Sequence, residues 1–166
     1  MKDLKLYGII WNVNYCFLNE TLEILNKYNT LSDLYLIDIA DCEEEFLKEV
    51  YPDVLPYEYV VYKASFLKKN DCNHVLLFSI TIPKAKFNYN SKEQHDYCVE
   101  AKKIKNTIRK KFKHLVKDYV EDIIIHLSDN ADENEIILNG VKLYKNRMQE
   151  FKDTALDKGD RDFDIY

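Results

Sequence analysis

Apolar residues recur along the chain in two alternating rhythms, one of strands and one of helices. Residues Lys5–Val13 (KLYGIIWNV) form a short apolar, aromatic-rich run bounded by asparagine, which predicts a buried first strand. Asn19 is placed to cap a helix whose Leu18, Leu22 and Leu25 share one face at helical spacing. Leu34–Ala40 (LYLIDIA) predicts a second strand. Asp41 and Glu44 make a D-x-x-E start for an amphipathic helix carrying Phe46, Leu47, Val50 and Tyr51, stopped at Pro52. After Pro56 the aromatic residues Tyr57, Tyr59 and Tyr62 lead into a segment with no assignable period.

Asn73–Ile82 (NHVLLFSITI) predicts a third strand, ended by Pro83. Ser91 with Gln94 forms a second capping box, and Tyr97, Ala101, Ile104, Ile108, Phe112 and Leu115 continue at helical spacing, predicting one long helix over 91–117. Tyr119–Leu127 (YVEDIIIHL) predicts a fourth strand, and Asp129–Asn130 a cap for a closing helix up to Asn139 and Gly140. This succession contains the β-α-β-β-α-β order of a ferredoxin-like split βαβ unit with two extra helices. The expectation is an α+β domain over residues 5–140, a four-stranded antiparallel sheet with helices packed on it. Residues 141–166 are read as a C-terminal helix and a partly mobile acidic tail ending in DKGDRDFDIY. Such a fold hosts many activities, so function must come from a site.

Composition narrows the classes. The chain has 166 residues, 46% hydrophobic and 32% charged, which predicts one soluble globular domain. Lys and Arg number 24 against 29 Asp and Glu, a net charge of -5, so nucleic acid is an unfavoured partner. The first ten residues lack an apolar leader, and no membrane span is visible, which leads us to expect a cytoplasmic protein with no membrane partner. Cys16, Cys42, Cys72 and Cys98 are scattered like free thiols. Cys72-x-His74 and His95-x-x-Cys98 formally supply four zinc ligands, but in no common zinc spacing; core packing is the stronger reading, and no resident metal is expected. Between residues 102 and 117 eight cations occur without one acid, and Lys102, Lys105, Arg109, Lys113 and Lys117 form a stripe that an anion or acidic partner would neutralise.

Chemistry is most legible in Ile124-Ile125-His126-Leu127-Ser128-Asp129-Asn130, where a histidine ends an apolar strand and a hydroxyl and a carboxylate follow at once. A neutral imidazole is nucleophilic near physiological pH, best when a neighbouring acceptor holds its second nitrogen. The competing reading is a histidine that bonds a backbone carbonyl as the sheet ends.

That segment resembles the I-I-H-G-S-D-S active-site sequence of the nucleoside diphosphate kinases. Thr107-Ile108-Arg109-Lys110-Lys111-Phe112 is similar to their T-I-R-x-x-F, and Ala40–Tyr51 (ADCEEEFLKEVY) to their A-S-E-D-L-L-K-E-H-Y. The resemblance implies a ping-pong phosphotransferase in which His126 carries the phosphoryl group of a nucleoside triphosphate to an acceptor that the residues do not identify. It further implies that Arg109 clamps the phosphates, that Glu135 orients the imidazole, that Tyr51, Thr107, Ser128 and Asn12 line the substrate site, that Mg²⁺ arrives with the nucleotide, and that the chain forms a homo-oligomer. Departures are equally plain: Ile10-Trp11-Asn12 stands where the family has a K-P-D lysine, Ile123 replaces its sugar-binding asparagine and Leu127 its glycine. These losses support the alternative of a catalytically inactive, kinase-like nucleotide-sensing or protein-interaction module.

Overall fold

The computed structural model describes residues 2–51, 56–120 and 122–152. Its elements are β1 (Leu4–Ile10), α1 (Leu18–Lys27), β2 (Thr30–Asp38), α2 (Glu43–Val50), α3 (Tyr57–Lys69), β3 (His74–Ile82), β4 (Phe87–Asn90), β5 (His95–Cys98), α4 (Val99–Phe112), β6 (Ile125–Leu127), α5 (Ala131–Lys142) and β7 (Met148–Glu150). Five strands form the main sheet in the order β6-β1-β3-β2-β7, while β4 and β5 form a separate hairpin. All neighbours in both sheets are antiparallel. The expected α+β class with an antiparallel sheet holds, and the sheet has five strands rather than four. The fifth comes from the segment read as helix and tail: Met148–Glu150 pairs with Tyr35–Ile37 and covers part of the β2 edge.

The central strand β3, paired with β1 on one edge and β2 on the other, is buried from Val75 through Ile80 without a break, so side chains on both of its faces are covered and it reads as a continuous apolar run rather than an alternation. Helix α1 packs with α4, and α2 packs with both α3 and α5. The segment without a readable period is α3, which buries Val60, Lys63, Ala64, Phe66 and Leu67. No helix among the described residues is long and apolar enough to cross a membrane.

Two further expectations are corrected. The long helix over 91–117 is a hairpin followed by a shorter helix: the Asn90 side chain accepts from the Lys92 and Glu93 amides, and Gln94 takes φ 56°, so the chain turns where a capping box was expected. Helical spacing is right only from Val99 to Phe112, where Ala101, Ile108 and Phe112 are buried. The fourth strand shrinks from 119–127 to Ile125–Leu127, since Asp118 (φ 56°) and Asp122 (φ 64°) adopt left-handed backbone that extended pairing does not accept. In β2 the register with β3 shifts between Ser32 and Tyr35, with Asp33 at φ 54°. Asn130 caps α5 as expected, its side chain accepting from the Glu133 amide at 3.0 Å.

Gly8 sits where β1 pairs with β6, opposite Leu127. A Cβ there would lie 2.4 Å from Phe78 Cζ and 2.5 Å from the His126 carbonyl oxygen. Gly8→Ala is therefore expected to destabilise the fold by about 1–3 kcal/mol through overpacking, read as a lowered urea midpoint. An unchanged midpoint would show that β1 and β6 separate easily.

Candidate active site

Strand β6 presents His126 opposite Ile9 of β1. The imidazole is only 9% exposed and its ring centroid lies 4.3 Å from that of Tyr51. His126 Nε2 is 3.3 Å from the Val50 carbonyl oxygen at the end of α2. A carbonyl only accepts, so Nε2 is the donor and carries the proton. Burial, reinforced by Lys63, Lys105 and Arg109, pushes the His126 pKa down to about 3, against a weaker opposing pull from the Val50 carbonyl. At neutral pH the ring is thus uncharged and Nδ1 holds the lone pair.

Three cations flank this strand, one held by a carbonyl and aromatic faces and two each by a carboxylate and a β6 carbonyl. Lys63 of α3 is fully buried. Its ammonium contacts the Tyr51 hydroxyl, donates to the Asp122 carbonyl at 3.2 Å, and lies 4.7 Å and 4.6 Å over the Trp11 and Tyr51 rings. Burying a bare ammonium is costly, and this carbonyl and these aromatic faces offset the lost water. Arg109 donates to the Asp122 carboxylate and to the Ile125 carbonyl, both at 2.9 Å, while its Nε is buried with no acceptor. One helical turn earlier, Lys105 donates to the Leu127 carbonyl at 3.3 Å and to Asp129 Oδ1 at 2.9 Å. Part of the basic stripe therefore faces inward, flanking His126 through its neighbours' carbonyls.

An open cleft of about 550 Å³ adjoins this cluster, lined by Asn106, Arg109, Lys110, Lys113, Tyr119 and Asp122. Three cations against one carboxylate make it suited to an anion, and Tyr119 adds an aromatic surface beside them.

The structure brings His126, Arg109 and Tyr51 together and leaves the other expected residues elsewhere. Glu135 is exposed on α5 and does not orient the imidazole; the Val50 carbonyl occupies that role. Thr107 is exposed and its hydroxyl donates to the Lys103 carbonyl within α4. Ser128 is buried, but its hydroxyl donates to the Tyr7 carbonyl and fastens the end of β6 to β1. Asn12 is buried and accepts from the Asn14 amide in the turn after β1. The formal cysteine–histidine zinc set is not assembled: Cys72 donates to the Asn70 carbonyl and Cys98 to the Glu100 carboxylate. Among the described residues the one metal-competent grouping is Glu93, His95 and Asp129.

Lys63 was missed from sequence. Its signal was present, since Val60, Lys63, Ala64 and Leu67 fall at helical spacing on one face, but the tyrosines around it obscured the apolar stripe.

Histidine titration checks this geometry. His126 stays neutral when folded but binds a proton near pH 6.5 when unfolded, so it opposes folding increasingly below pH 6.5, with a slope of up to about 1.4 kcal/mol per pH unit until its folded pKa is reached. His95 has the opposite sign: its bond to Asp129 raises its pKa, so its contribution is present below its ordinary value of 6.5 and is lost as pH rises through the folded pKa. Proton NMR should show His126 unmoved down to about pH 4.5, and His126→Gln should flatten the acid limb of stability measured by urea unfolding. Protonation of His126 near pH 6 would mean that the ring is solvated.

Compared with models of known protein families and with curated proteins, the chain matches none of them.

Proposed function

We propose that this chain is a phosphotransferase of the nucleoside diphosphate kinase-like kind, working through a phosphohistidine at His126. The observation that carries the reading is the state of that ring: neutral, with Nε2–H engaged by the Val50 carbonyl and Nδ1 left as the nucleophile in a field of three cations. The strand order β6-β1-β3-β2 supports it as well, being that of a split βαβ sheet to which β7 has been added.

In this reading the triphosphate lies in the cleft beside Arg109, with Lys110 and Lys113 along its phosphates. Nδ1 attacks the terminal phosphorus, the bond from that phosphorus to the bridging oxygen breaks, and the diphosphate leaves with the oxygen. An acceptor oxygen later attacks the same phosphorus and breaks the P–N bond, returning neutral His126. Arg109 and the buried Lys63 stabilise charge on the transferring group by fixed electrostatics rather than by proton transfer. Mg²⁺ would arrive on the nucleotide and supply charge neutralisation there.

A second reading, the inactive nucleotide-sensing or interaction module, draws on a specific observation: His126 is nine-tenths covered, and one terminal nitrogen of Arg109 already serves both Asp122 and Ile125.

Intact-mass analysis after incubation with Mg²⁺ and ATP or GTP separates the two. One acid-labile, base-stable phosphoryl group per chain is expected, absent in His126→Ala. Arg109→Gln should slow its appearance by about two to three powers of ten while circular dichroism stays native. An unmodified mass with every common triphosphate, alongside measurable nucleotide binding, would sink the transferase in favour of the module.

A further inference from the structure

The β4–β5 hairpin lies outside the main sheet and is joined to the segment after β6. There the Cys98 amide donates to the Asp129 carbonyl at 2.7 Å, and Asn130 Nδ2 donates to the Asp96 carbonyl at 2.8 Å. At the same junction three metal-ligating side chains converge: Glu93 from the hairpin turn, His95 from the start of β5, and Asp129 from beyond β6. His95 Nε2 lies 3.0 Å from Asp129 Oδ2 and 3.4 Å from Glu93 Oε2. A tetrahedral zinc ion with bonds of about 2.0–2.1 Å sets its ligand atoms about 3.3 Å apart. The two spacings straddle that value.

The geometry points to a divalent metal site of the zinc class, held by His95 Nε2 and one carboxylate oxygen each from Glu93 and Asp129, with the remaining position left to water. A nitrogen with two carboxylates suits zinc and its transition-metal neighbours better than magnesium or calcium, which favour all-oxygen shells. In the metal-free protein a proton on Nε2 occupies the place between the two carboxylates, and the ion takes that place as the proton leaves to solvent. Asp129 is already positioned for this role. Its amide donates to Glu133 Oε1 at 2.9 Å, its carbonyl takes the Cys98 amide, and its Oδ1 takes Lys105, which leaves Oδ2 turned toward His95. Lys105 contributes one positive charge beside the ion, and Glu133 a further carboxylate to balance it. Side-chain exposures of 56%, 30% and 21% for Glu93, His95 and Asp129 leave the cluster open to solvent ions. The residues belong to segments 34 positions apart, so a bound ion would clip the hairpin to the end of the His126 strand.

Zinc titration of the full chain under reducing conditions, in competition with a chromophoric chelator, tests the site without recourse to any activity. One ion per chain is expected, with affinity falling about tenfold per pH unit below the His95 pKa, because one proton is displaced. His95→Ala and Glu93→Gln should each weaken it by more than the roughly 10–100-fold that loss of an outer-shell partner costs. Zinc should also slow amide exchange across His95–Cys98 in the wild type. Glu93 lies in an exposed turn, so its variant keeps the test valid if His95→Ala misfolds. Uptake unchanged in the variants would place the ion at other residues, and no stoichiometric uptake by the wild type would remove the site; either outcome overturns the proposal.

Discussion

Asp122 is the residue on which the arrangement turns. Its carbonyl oxygen receives the buried ammonium of Lys63 and its carboxylate receives the guanidinium of Arg109, so one residue compensates cations from two helices. It does so from left-handed backbone, the conformation that also ends the extended chain before β6. The same local twist that shortens the strand therefore aims both oxygens at the site. Removing either cation would leave its partner oxygens desolvated, and removing the carboxylate would strand Arg109. Local backbone preference, charge compensation and site geometry are coupled at this position.

That coupling explains why a histidine at the end of an apolar strand is held neutral. Burial alone disfavours the imidazolium, and three positive side chains disfavour it further. The field that depresses the basicity of His126 is the one that attracts an anion. A neutral imidazole and a neighbourhood that favours negative charge are complementary requirements: Lys105 and Arg109 are ion-paired with Asp129 and Asp122, while Lys63 is held by a carbonyl and aromatic faces with its charge uncancelled by a carboxylate in those contacts.

The central sheet was legible in the sequence because β1, β2 and β3 hold apolar runs with clear ends at Asn, Asp or Pro. The hairpin was not, because Tyr97, Ala101 and Ile104 continue the spacing of the helix that follows, and only the Asn90 turn and the backbone of Gln94 break it. The tiny strand β7, MQE, carries no hydrophobic signal of its own; it forms where β2 leaves an edge to be covered. His126, Arg109 and Tyr51 were legible through a motif. Lys63 and Asp122 were not, since neither a buried lysine nor a left-handed aspartate announces its tertiary partner in sequence. Glu135 failed for a related reason: a backbone carbonyl, invisible in any motif, already satisfies the imidazole.

The sheet is closed off by its own smallest members. At one side β6 offers three residues, and at the other β7 offers three more, while the shift at Asp33 bends the portion of β2 that β7 leaves uncovered. A strand from another molecule would find only a short, twisted template at either border, too little to add backbone hydrogen bonds in register. Among the described residues, the main sheet is thereby guarded at both borders against growth by strand addition.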